Sequence, residues 1–497
     1  MLSVLSKSVV STTSKSFWKP LPRWTKKNII SAQRYSTKSR FKAGQPIPET
    51  HPHLLRPGEI TPGIKAEEYY ARRARLLDEM PDNSMAIIAG NDTQFATPSV
   101  FYEFRQDPNF FYLTGFMEPQ SALVLYKKKG NSPESIFFVP PKDEYAELWD
   151  GSRTGPKGAI EIFNADNAHS FNDIERVMEK LLKDISIVYY DALPPKESGR
   201  LPNFFRSYNR DVLSGSLGEL LRRSSRKEIR SAVQLVEKSR LIKSPAEIEN
   251  MRIAAEISAD VYNSAYGIRF QTESQLYYYL DYQFRMRGCT ESAYLPVVAG
   301  GNHALTIHYT KNYDVLKDGD LVLVDAAGRY GGYCADISRT WPVNGKFTAP
   351  QKDLYQAVLN VQKECIKYCS TSSGMTLNDI HRQSEQLFYS ELKNCGFASL
   401  SRKELTTLYP HYIGHNLGID VHDISSPPRF TPLQPGQIIT IEPGVYVPDT
   451  EEWPKHFRGI GIRIEDDVVV RQSSYEVITS DTLKEIDDIE AAANSSK

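Results

Sequence analysis

The pattern of apolar and polar positions changes period several times along the first half of the chain. A helical period runs from Ala66 to Met80, and a second one covers residues 172–185. Strand-like apolar runs occupy residues 84–90, 110–116, 121–126, 135–140 and 185–190. Strands that alternate with helices are typical of an α/β domain. We place this domain at residues 55–235.

After residue 240 the pattern begins again with a helix. Ser244-Pro245 is a typical N-cap and first helical position, and the helical period continues to Tyr266. A charged, helical-looking segment at 222–244 separates this part from the first domain. Further helical stretches at 271–286 and 351–370 flank a glycine-rich apolar segment, and strand-like runs return at 437–447 and 459–470. These elements predict a second domain over residues 240–490.

Two acids lie within the glycine-rich segment. Asp325 ends the apolar run at 321–324, and Asp336 follows a turn that contains Gly331. If Tyr330-Gly331 is a two-residue turn, Asp325 lies opposite Asp336, with Cβ atoms roughly 4.5–5.5 Å apart. Two like charges at that separation need either a retained proton or a cation between them. The alternative is that both acids face solvent on an edge hairpin.

Composition narrows the class of protein. The chain has 497 residues, more than one hydrophobic core usually supports, so two domains are expected. Its net charge of −1 offers no basic face for a nucleic-acid partner. No apolar run approaches the roughly 18–20 residues that span a bilayer. Five cysteines without a CxxC pair favour reduced thiols over a disulfide framework.

The N-terminus differs from the rest of the chain. It is rich in Lys, Arg, Ser and Thr, and its first acidic residue is Glu49. Such an acid-free, basic segment is typical of a mitochondrial transit peptide. We therefore predict a presequence over residues 1–45, with a cut after Arg34-Tyr35 that leaves Ser36 first. The alternative is a disordered basic tail without a targeting role.

Further acids lie in apolar, strand-like settings. Glu442 follows IITI, and Glu465 follows the alternating run GIGIRI, in which Arg463 shares its face. Between the two pairs of acids lies HYIGHNLGIDVHD, which contains His411, His415 and His422. Four acids and a histidine from distant segments are typical of a divalent metal site rich in oxygen ligands. Bridging carboxylates of this kind hold two metals about 3.5–4 Å apart around a shared water.

Other catalytic templates fail. His411 and His415 have the spacing of a zinc-binding helix, but Tyr412 stands where that motif needs Glu. GxSxG, P-loop and GxGxxG motifs are absent from the sequence.

The ordered motifs resemble the aminopeptidase P branch of the pita-bread metallopeptidases. They are VDAAGRYGGYCADISRTWPVNGKF, TIHYT, HYIGHNLGIDVHD, TIEPGVY and GIRIEDD, with ITPGIKAEEYYARRARL, FRQDPNFFYLTGFMEP and LWDGSRTG in the first domain. The resemblance covers nearly everything after residue 55, and the presequence favours a mitochondrial member. It implies an α/β N-terminal domain of the aminopeptidase P type and an α+β pita-bread catalytic domain.

The resemblance also implies a role for each site residue. Asp325 would chelate one metal, Asp336 and Glu465 would bridge two, and His415 and Glu442 would complete the second. Glu442 would also shuttle a proton. His308, His411 and His422 would position the substrate, Arg463 would support the carboxylates, and Tyr446 would line the site.

The implied cofactors are two divalent ions, for which the oxygen-rich donors favour Mn²⁺ over Zn²⁺ or Co²⁺. The implied substrates are N-termini of peptides and of processed mitochondrial proteins, from which the enzyme would remove one residue. The implied location of the enzyme is the mitochondrial matrix, where it would be free or associated with the inner membrane. A homodimer or higher homo-oligomer is a further expectation, with Trp149 as a candidate contact. A conventional Xaa-Pro aminopeptidase, a prolidase and a non-catalytic peptide-binding module stay open as alternatives.

Overall fold

The structure is a computed structural model that describes residues 42–191, 227–424 and 429–494. The predicted presequence and the cut near Ser36 lie outside these ranges, apart from residues 42–45. Within them, no helix combines the length and the apolar character that a membrane span requires.

The N-terminal part is an α/β domain, as predicted. Its strands are β1 (Glu59–Thr61), β2 (Ile64–Lys65), β3 (Ser84–Ala89), β4 (Phe95–Thr97), β5 (Val100–Phe101), β6 (Ala122–Lys127), β7 (Glu134–Val139), β8 (Asn167–Ser170), β9 (Ile187–Tyr189) and β10 (Glu228–Arg230). Its helices are α1 (Ala66–Glu79), α2 (Pro108–Thr114), α3 (Glu144–Asp150), α4 (Gly155–Phe163), α5 (Ile174–Leu181) and α6 (Ala232–Arg240).

A mixed sheet with the order β10-β9-β3-β6-β7-β8 forms the centre of this domain. β9 and β10 run parallel to β3, whereas β6 runs antiparallel to it. Side chains alternate between the two faces of the sheet, as the period of two requires. Ala86 and Ile88 join the core beneath α1 and α2. Met85 and Ile87 pack into a second cluster with Met178 of α5.

One predicted strand is wrong. Residues 108–114, which overlap the apolar run at 110–116, form helix α2. Asp107 caps this helix by accepting from the Phe110 N–H at 2.9 Å, and Pro108 occupies its first turn. Gly115 ends it in the left-handed region with φ 64°. These are the usual start and stop signals of a helix. The run is continuously apolar because α2 is buried on all sides.

The C-terminal part is an α+β domain, as expected. Its strands are β11 (Glu291–Ser292), β12 (Val297–Gly300), β13 (Leu321–Asp325), β14 (Gly328–Tyr330), β15 (Tyr333–Cys334), β16 (Ser338–Pro342), β17 (Ile438–Ile441), β18 (Gly444–Tyr446), β19 (Gly461–Arg463), β20 (Asp466–Val470) and β21 (Tyr475–Val477). Its helices are α7 (Pro245–Tyr266), α8 (Glu273–Met286), α9 (Ala349–Ile366), α10 (Leu377–Asn394), α11 (Arg402–Leu408) and α12 (Ile486–Asn494).

The helix start predicted at Ser244 is confirmed. The Ser244 hydroxyl accepts from the Glu247 N–H at 3.2 Å, and the Glu247 carboxylate accepts from the Ser244 N–H at 2.8 Å, which is a complete capping box. The charged segment at 222–244 is not one helix. Its described part contains β10 before α6, and residues 222–226 lie outside the described ranges.

The hairpin register predicted around Tyr330 is also wrong. Tyr330 pairs with Tyr333, so the turn residues are Gly331 and Gly332, with φ of 57° and 89°. A two-residue turn with positive φ at both positions suits a glycine pair and excludes Tyr330. The shift pairs Asp325 with Ser338 instead of Asp336. Since the side-chain period is two, both acids still belong to the same face.

The two domains share one hydrophobic core. At their junction Arg72 of α1 is fully buried, and its guanidinium donates to the Tyr112 carbonyl at 2.9 Å and to Glu68 at 2.6 Å. Glu247 of α7 lies 3.4 Å from the same guanidinium. The N-terminal domain is therefore packed directly against the first helix of the C-terminal domain.

Candidate metal centre

The predicted acids lie at strand ends that meet in one cleft of the C-terminal domain. Asp325 ends β13, Asp336 lies between β15 and β16, and Glu465 lies between β19 and β20. The Glu465 N–H donates to the Ser338 carbonyl at 3.0 Å, which joins the segment after β19 to β16. Asp336, His415 and Glu465 form a cluster whose ligand atoms all lie within 4.8 Å of one another.

Asp325 is joined to this cluster through a tyrosine. The Tyr294 hydroxyl lies 2.6 Å from Oδ1 of Asp325 and 2.6 Å from Oδ1 of Asp336. One hydroxyl supplies only one proton, so Tyr294 donates to one of these two carboxyl groups at a time. The crowding of negative charge that the sequence predicted is therefore real, although the register that suggested it was wrong.

His415 and Glu442 complete the group from neighbouring segments. The His415 Nε2 atom lies 3.5 Å from Asp336 Oδ2 and 3.5 Å from Glu442 Oε1. The chain next to His415 runs along β17, where the Glu442 N–H donates to the Ile413 carbonyl at 2.8 Å. Gly414 permits this close approach, because a Cβ there would lie 1.9 Å from the Thr440 carbonyl oxygen.

Burial and mutual repulsion keep these acids from ionising freely. Burial raises the pKa of Asp336 well above its usual value, and Asp325 and Asp467 raise it further. Burial and Asp336 act in the same way on the pKa of Glu465, and burial and Glu465 raise the pKa of Glu442. Burial lowers the pKa of His415 to about 3, so its imidazole is neutral at physiological pH.

Arg463 and Tyr446 form the wall beside the acids. Arg463 Nη2 donates to Asp325 Oδ2 at 2.6 Å, and Arg463 Nη1 donates to the Tyr446 hydroxyl at 2.9 Å. That hydroxyl lies 2.9 Å from His411 Nε2, and His411 Nδ1 is 3.9 Å from Glu442 Oε2. Burial, followed by the charge of Arg463, lowers the pKa of His411 to about 3.

The other two predicted histidines border the same cleft and are more exposed. The His422 ring lies edge-on to His415 with centroids 4.4 Å apart. Burial lowers the pKa of His308, with an opposing effect of Asp325, and burial and His308 lower the pKa of His422. The structure thus brings the predicted site residues to one cleft, some as direct neighbours and others around its border.

Sequence reasoning missed two polar residues that hold the acids. Tyr294 contacts both Asp325 and Asp336, and Ser338 Oγ donates to Glu465 Oε2 at 2.6 Å. Ser338 also accepts from Arg463 Nε at 2.8 Å. The observed hairpin register, unlike the predicted one, identifies Ser338, because Ser338 pairs directly with Asp325. Tyr294 has no local signal, because its contacts are 31 and 42 residues away.

This donor set fits divalent cations. The carboxyl groups are buried together with fewer cationic partners than negative charges, and a bound cation removes the repulsion that raises their pKa. The neutral imidazole of His415 provides a nitrogen ligand without adding positive charge. Mainly hard oxygen donors with one imidazole suit Mn²⁺, Zn²⁺ or Co²⁺.

Comparisons with known proteins agree with this geometry. Residues 249–472 match the model of metallopeptidase family M24, and residues 69–189 match the N-terminal domain of aminopeptidase P. Intermediate cleaving peptidase 55 of Saccharomyces cerevisiae is 48% identical over 90% of this chain and 88% of its own length. A crystal structure of that yeast protein, Icp55, has a TM-score of 0.80 at 45% identity and covers 88% of this chain and 100% of its own.

Two further relatives cover similar lengths. Xaa-Pro aminopeptidase 3 of Mus musculus is 40% identical over 90% of this chain and 90% of its own length. The mitochondrial intermediate cleaving peptidase 55 of Arabidopsis thaliana is 39% identical over 95% of this chain and 92% of its own length.

Proposed function

We propose that this protein hydrolyses the first peptide bond of a polypeptide and thereby releases one N-terminal residue. The chain belongs to metallopeptidase family M24, contains the N-terminal domain of aminopeptidase P, and is an aminopeptidase. The division into a presequence at 1–45, an N-terminal domain at 55–235 and a catalytic domain at 240–490 is part of the proposal.

The metal centre would hold two ions. Asp325 would bind one ion, Asp336 and Glu465 would bridge both, and His415 with Glu442 would bind the other. The close approach of Asp336, His415 and Glu465 supports this assignment. When bound, such a pair of ions activates a water molecule and polarises the scissile carbonyl group. We propose Mn²⁺ as the physiological metal because most of the donors are hard oxygen atoms.

Glu442 would transfer the proton during hydrolysis. Burial and Glu465 raise the pKa of Glu442, which favours proton uptake by this carboxylate. It would take the proton of the attacking water on one carboxylate oxygen and deliver it to the leaving amine. His411, 3.9 Å away, is neutral, and its two ring nitrogens lie 2.9 Å from the Tyr412 carbonyl and 2.9 Å from the Tyr446 hydroxyl, so it would hydrogen-bond the substrate by exchanging one of these partners.

The three histidines would position the substrate across the cleft. His308 and His422 border the acids on their exposed side, and His411 is held by the Tyr446 hydroxyl. Arg463 would keep Asp325 oriented through its 2.6 Å hydrogen bond. These positions leave the acids reachable from solvent, with the side chain of Glu442 18% exposed and that of Asp325 17% exposed.

We propose that the natural substrates are mitochondrial proteins whose presequences have just been removed. This step rests on the acid-free, basic N-terminus and on the likeness to the yeast and plant intermediate cleaving peptidases. The enzyme would act in the matrix, free or at the inner membrane. Cleavage of the bond between a first residue and a proline at the second position would be a retained or weaker activity. A homo-oligomer is proposed, with exposed Trp149 as a candidate contact.

A test uses two peptides that differ only at the second position. Purified enzyme with Mn²⁺ is incubated with a peptide that begins Tyr-Ser-Thr and with one that begins Tyr-Pro-Thr, and released tyrosine is measured. We expect release from both. In cells, N-terminal peptide profiling of mitochondria without this protein should show one extra residue on a set of matrix proteins.

The outcomes separate the alternatives. Release from the proline peptide alone would reduce the protein to a conventional Xaa-Pro aminopeptidase, and cleavage restricted to dipeptides would make it a prolidase. If neither of these peptides nor a Tyr-Pro dipeptide is cleaved although metal is bound, the protein is a peptide-binding module.

A further inference from the structure

A buried ion-pair cluster lies directly beside one of the substrate-site histidines. Asp423, the residue after His422, has a side chain only 1% exposed. Its Oδ1 accepts from Arg240 Nη2 at 2.6 Å, and its Oδ2 accepts from Lys243 Nζ at 3.0 Å. Although burial acts to raise the pKa of Asp423, these two cations lower it to about 2. Asp423 therefore stays charged and paired.

Asp423 also closes the loop that follows His415 and carries His422. The Asp423 N–H donates to the Asn416 carbonyl at 3.0 Å, so residues 416–423 form a closed turn that begins directly after His415 and contains His422. Gly418 makes room for the carboxylate, because a Cβ there would lie 2.6 Å from Asp423 Oδ2. The His422 ring, which this turn carries, lies 4.4 Å from that of His415.

The cations that hold the loop belong to the junction between the domains. Arg240 ends α6, and its Nη1 donates to Asn109 Oδ1 on α2 at 2.7 Å. Arg240 Nη2 also donates to Asp420 in the same loop at 2.9 Å. The N-terminal domain therefore reaches the histidine loop through the buried guanidinium of Arg240 and, nearer the surface, through Arg105, whose Nη2 lies 3.7 Å from Asp420 Oδ1.

A purely stabilising role explains this cluster poorly. Buried ion pairs are often no more stable than well-packed apolar side chains in the same space, because both charges lose their hydration. Their better-supported use is to fix one arrangement among several. Here the arrangement that is fixed carries a residue of the cleft.

We propose that Asp423, Arg240 and Lys243 are positioning residues that hold His422 at the substrate, and that the N-terminal domain thereby sets the geometry of the catalytic cleft. The inference rests on the proposed function in one respect, namely that His422 contacts the substrate. It adds a connection through which the contact of α2 with Arg240 would affect the rate of the reaction.

The test is a double-mutant cycle on the full-length mature enzyme with Mn²⁺. Asp423→Asn keeps the shape of the side chain and removes its charge. We expect kcat/KM to fall on the order of 10- to 100-fold, as displacements of about 1 Å cause. If Asp423 acts through His422, the double variant Asp423→Asn/His422→Ala is no slower than His422→Ala alone. Additive losses would overturn the proposal.

Lys243→Met provides a second variant if Asp423→Asn folds poorly, since it keeps the apolar stem and leaves Arg240 paired with Asp423. The matched control is Glu490→Gln on α12. Glu490 likewise holds two lysines, Lys346 and Lys352, and does not contact the cleft residues. We expect the control to leave kcat/KM unchanged.

Hydrogen exchange gives a readout that does not depend on activity. Amide exchange in residues 415–424 should rise in Asp423→Asn and Lys243→Met and stay unchanged in Glu490→Gln. Unchanged exchange in both variants would overturn the proposal even if the wild-type enzyme is inactive on every peptide. An inactive wild-type enzyme whose variants show the expected exchange would instead contradict the proposed function alone.

Discussion

Two adjacent acids, Glu465 and Asp466, show how the same burial leads to opposite chemistry. Both side chains are almost fully buried. Glu465 faces Asp336, and burial together with that charge raises its pKa. Asp466 accepts from Arg339 at 2.7 Å and also pairs with Lys484. Burial acts to raise the pKa of Asp466 as well, but the two cations lower it to about 2.

The difference lies in which cations the chain supplies. In the described part of the chain, Arg463 is the one arginine or lysine that forms an ion pair with Asp325, Asp336, Glu442 or Glu465. Asp466 has two such partners of its own. A cluster of acids without enough internal cations is stable only with protons or with added cations. This deficit is the physical feature that separates the candidate metal centre from a structural ion-pair cluster.

The largest expected effect comes from the acids of the candidate metal centre, which have too few cationic partners. Asp336→Ala and Glu465→Ala should each abolish turnover and metal content together, because each acid would serve two ions. Metal per chain is measured by mass spectrometry on the purified protein, and turnover with the Tyr-Ser-Thr peptide. Wild-type rates in either variant would contradict the assignment of these acids as bridging ligands.

A smaller effect is expected from Glu442, at the edge of the cluster. Glu442→Gln keeps one oxygen for a metal but cannot accept the proton of the attacking water. We expect kcat to fall roughly 10²- to 10⁴-fold, the usual contribution of general acid–base catalysis, with part of the metal retained. An unchanged kcat would remove the proton-transfer role and leave Glu442 as a ligand only.

The acids of the candidate site are recognisable in the sequence because their signals are local. An acid at the end of an apolar run, such as Asp325 or Glu442, is recognisable from its neighbours alone. The helix start at Ser244 can likewise be predicted from four consecutive residues, because its capping box joins positions three apart. Such features depend on no distant part of the chain.

Other features depended on contacts that a local pattern does not contain. The turn at Gly331-Gly332 was placed one residue too early because Tyr330-Gly331 was an equally short candidate, and only the sign of φ distinguishes them. The sequence of helix α2 also fits a strand, because an apolar run without periodicity is compatible with both elements. Asp466, and not Glu465, forms ion pairs because Arg339 and Lys484 lie beside it. These two residues are 127 and 18 positions away from Asp466 in the sequence.

The smallest effect on turnover should come from Asp466, although its loss should cost stability. Asp466→Asn leaves Arg339 and Lys484 buried without their anion, which typically destabilises a protein by about 3–5 kcal/mol. Metal content should stay at the wild-type level, because Asp466 turns away from the cleft towards its cations. Metal loss equal to that of Glu465→Ala would show that the two acids do not differ in kind.

The pH dependence of this variant provides the sharper measurement. The folded-state pKa of Asp466 is about 2, below its usual value of 3.8, so its contribution is present above pH 4 and is lost as the pH falls towards 2. That contribution is roughly 2 kcal/mol, from the linkage between pKa and stability. Denaturant unfolding of wild type and Asp466→Asn should therefore show a gap that is constant from pH 7 to 5 and narrows below pH 4. A gap that widens in acid would place Asp466 among the unpaired acids and remove the distinction from Glu465.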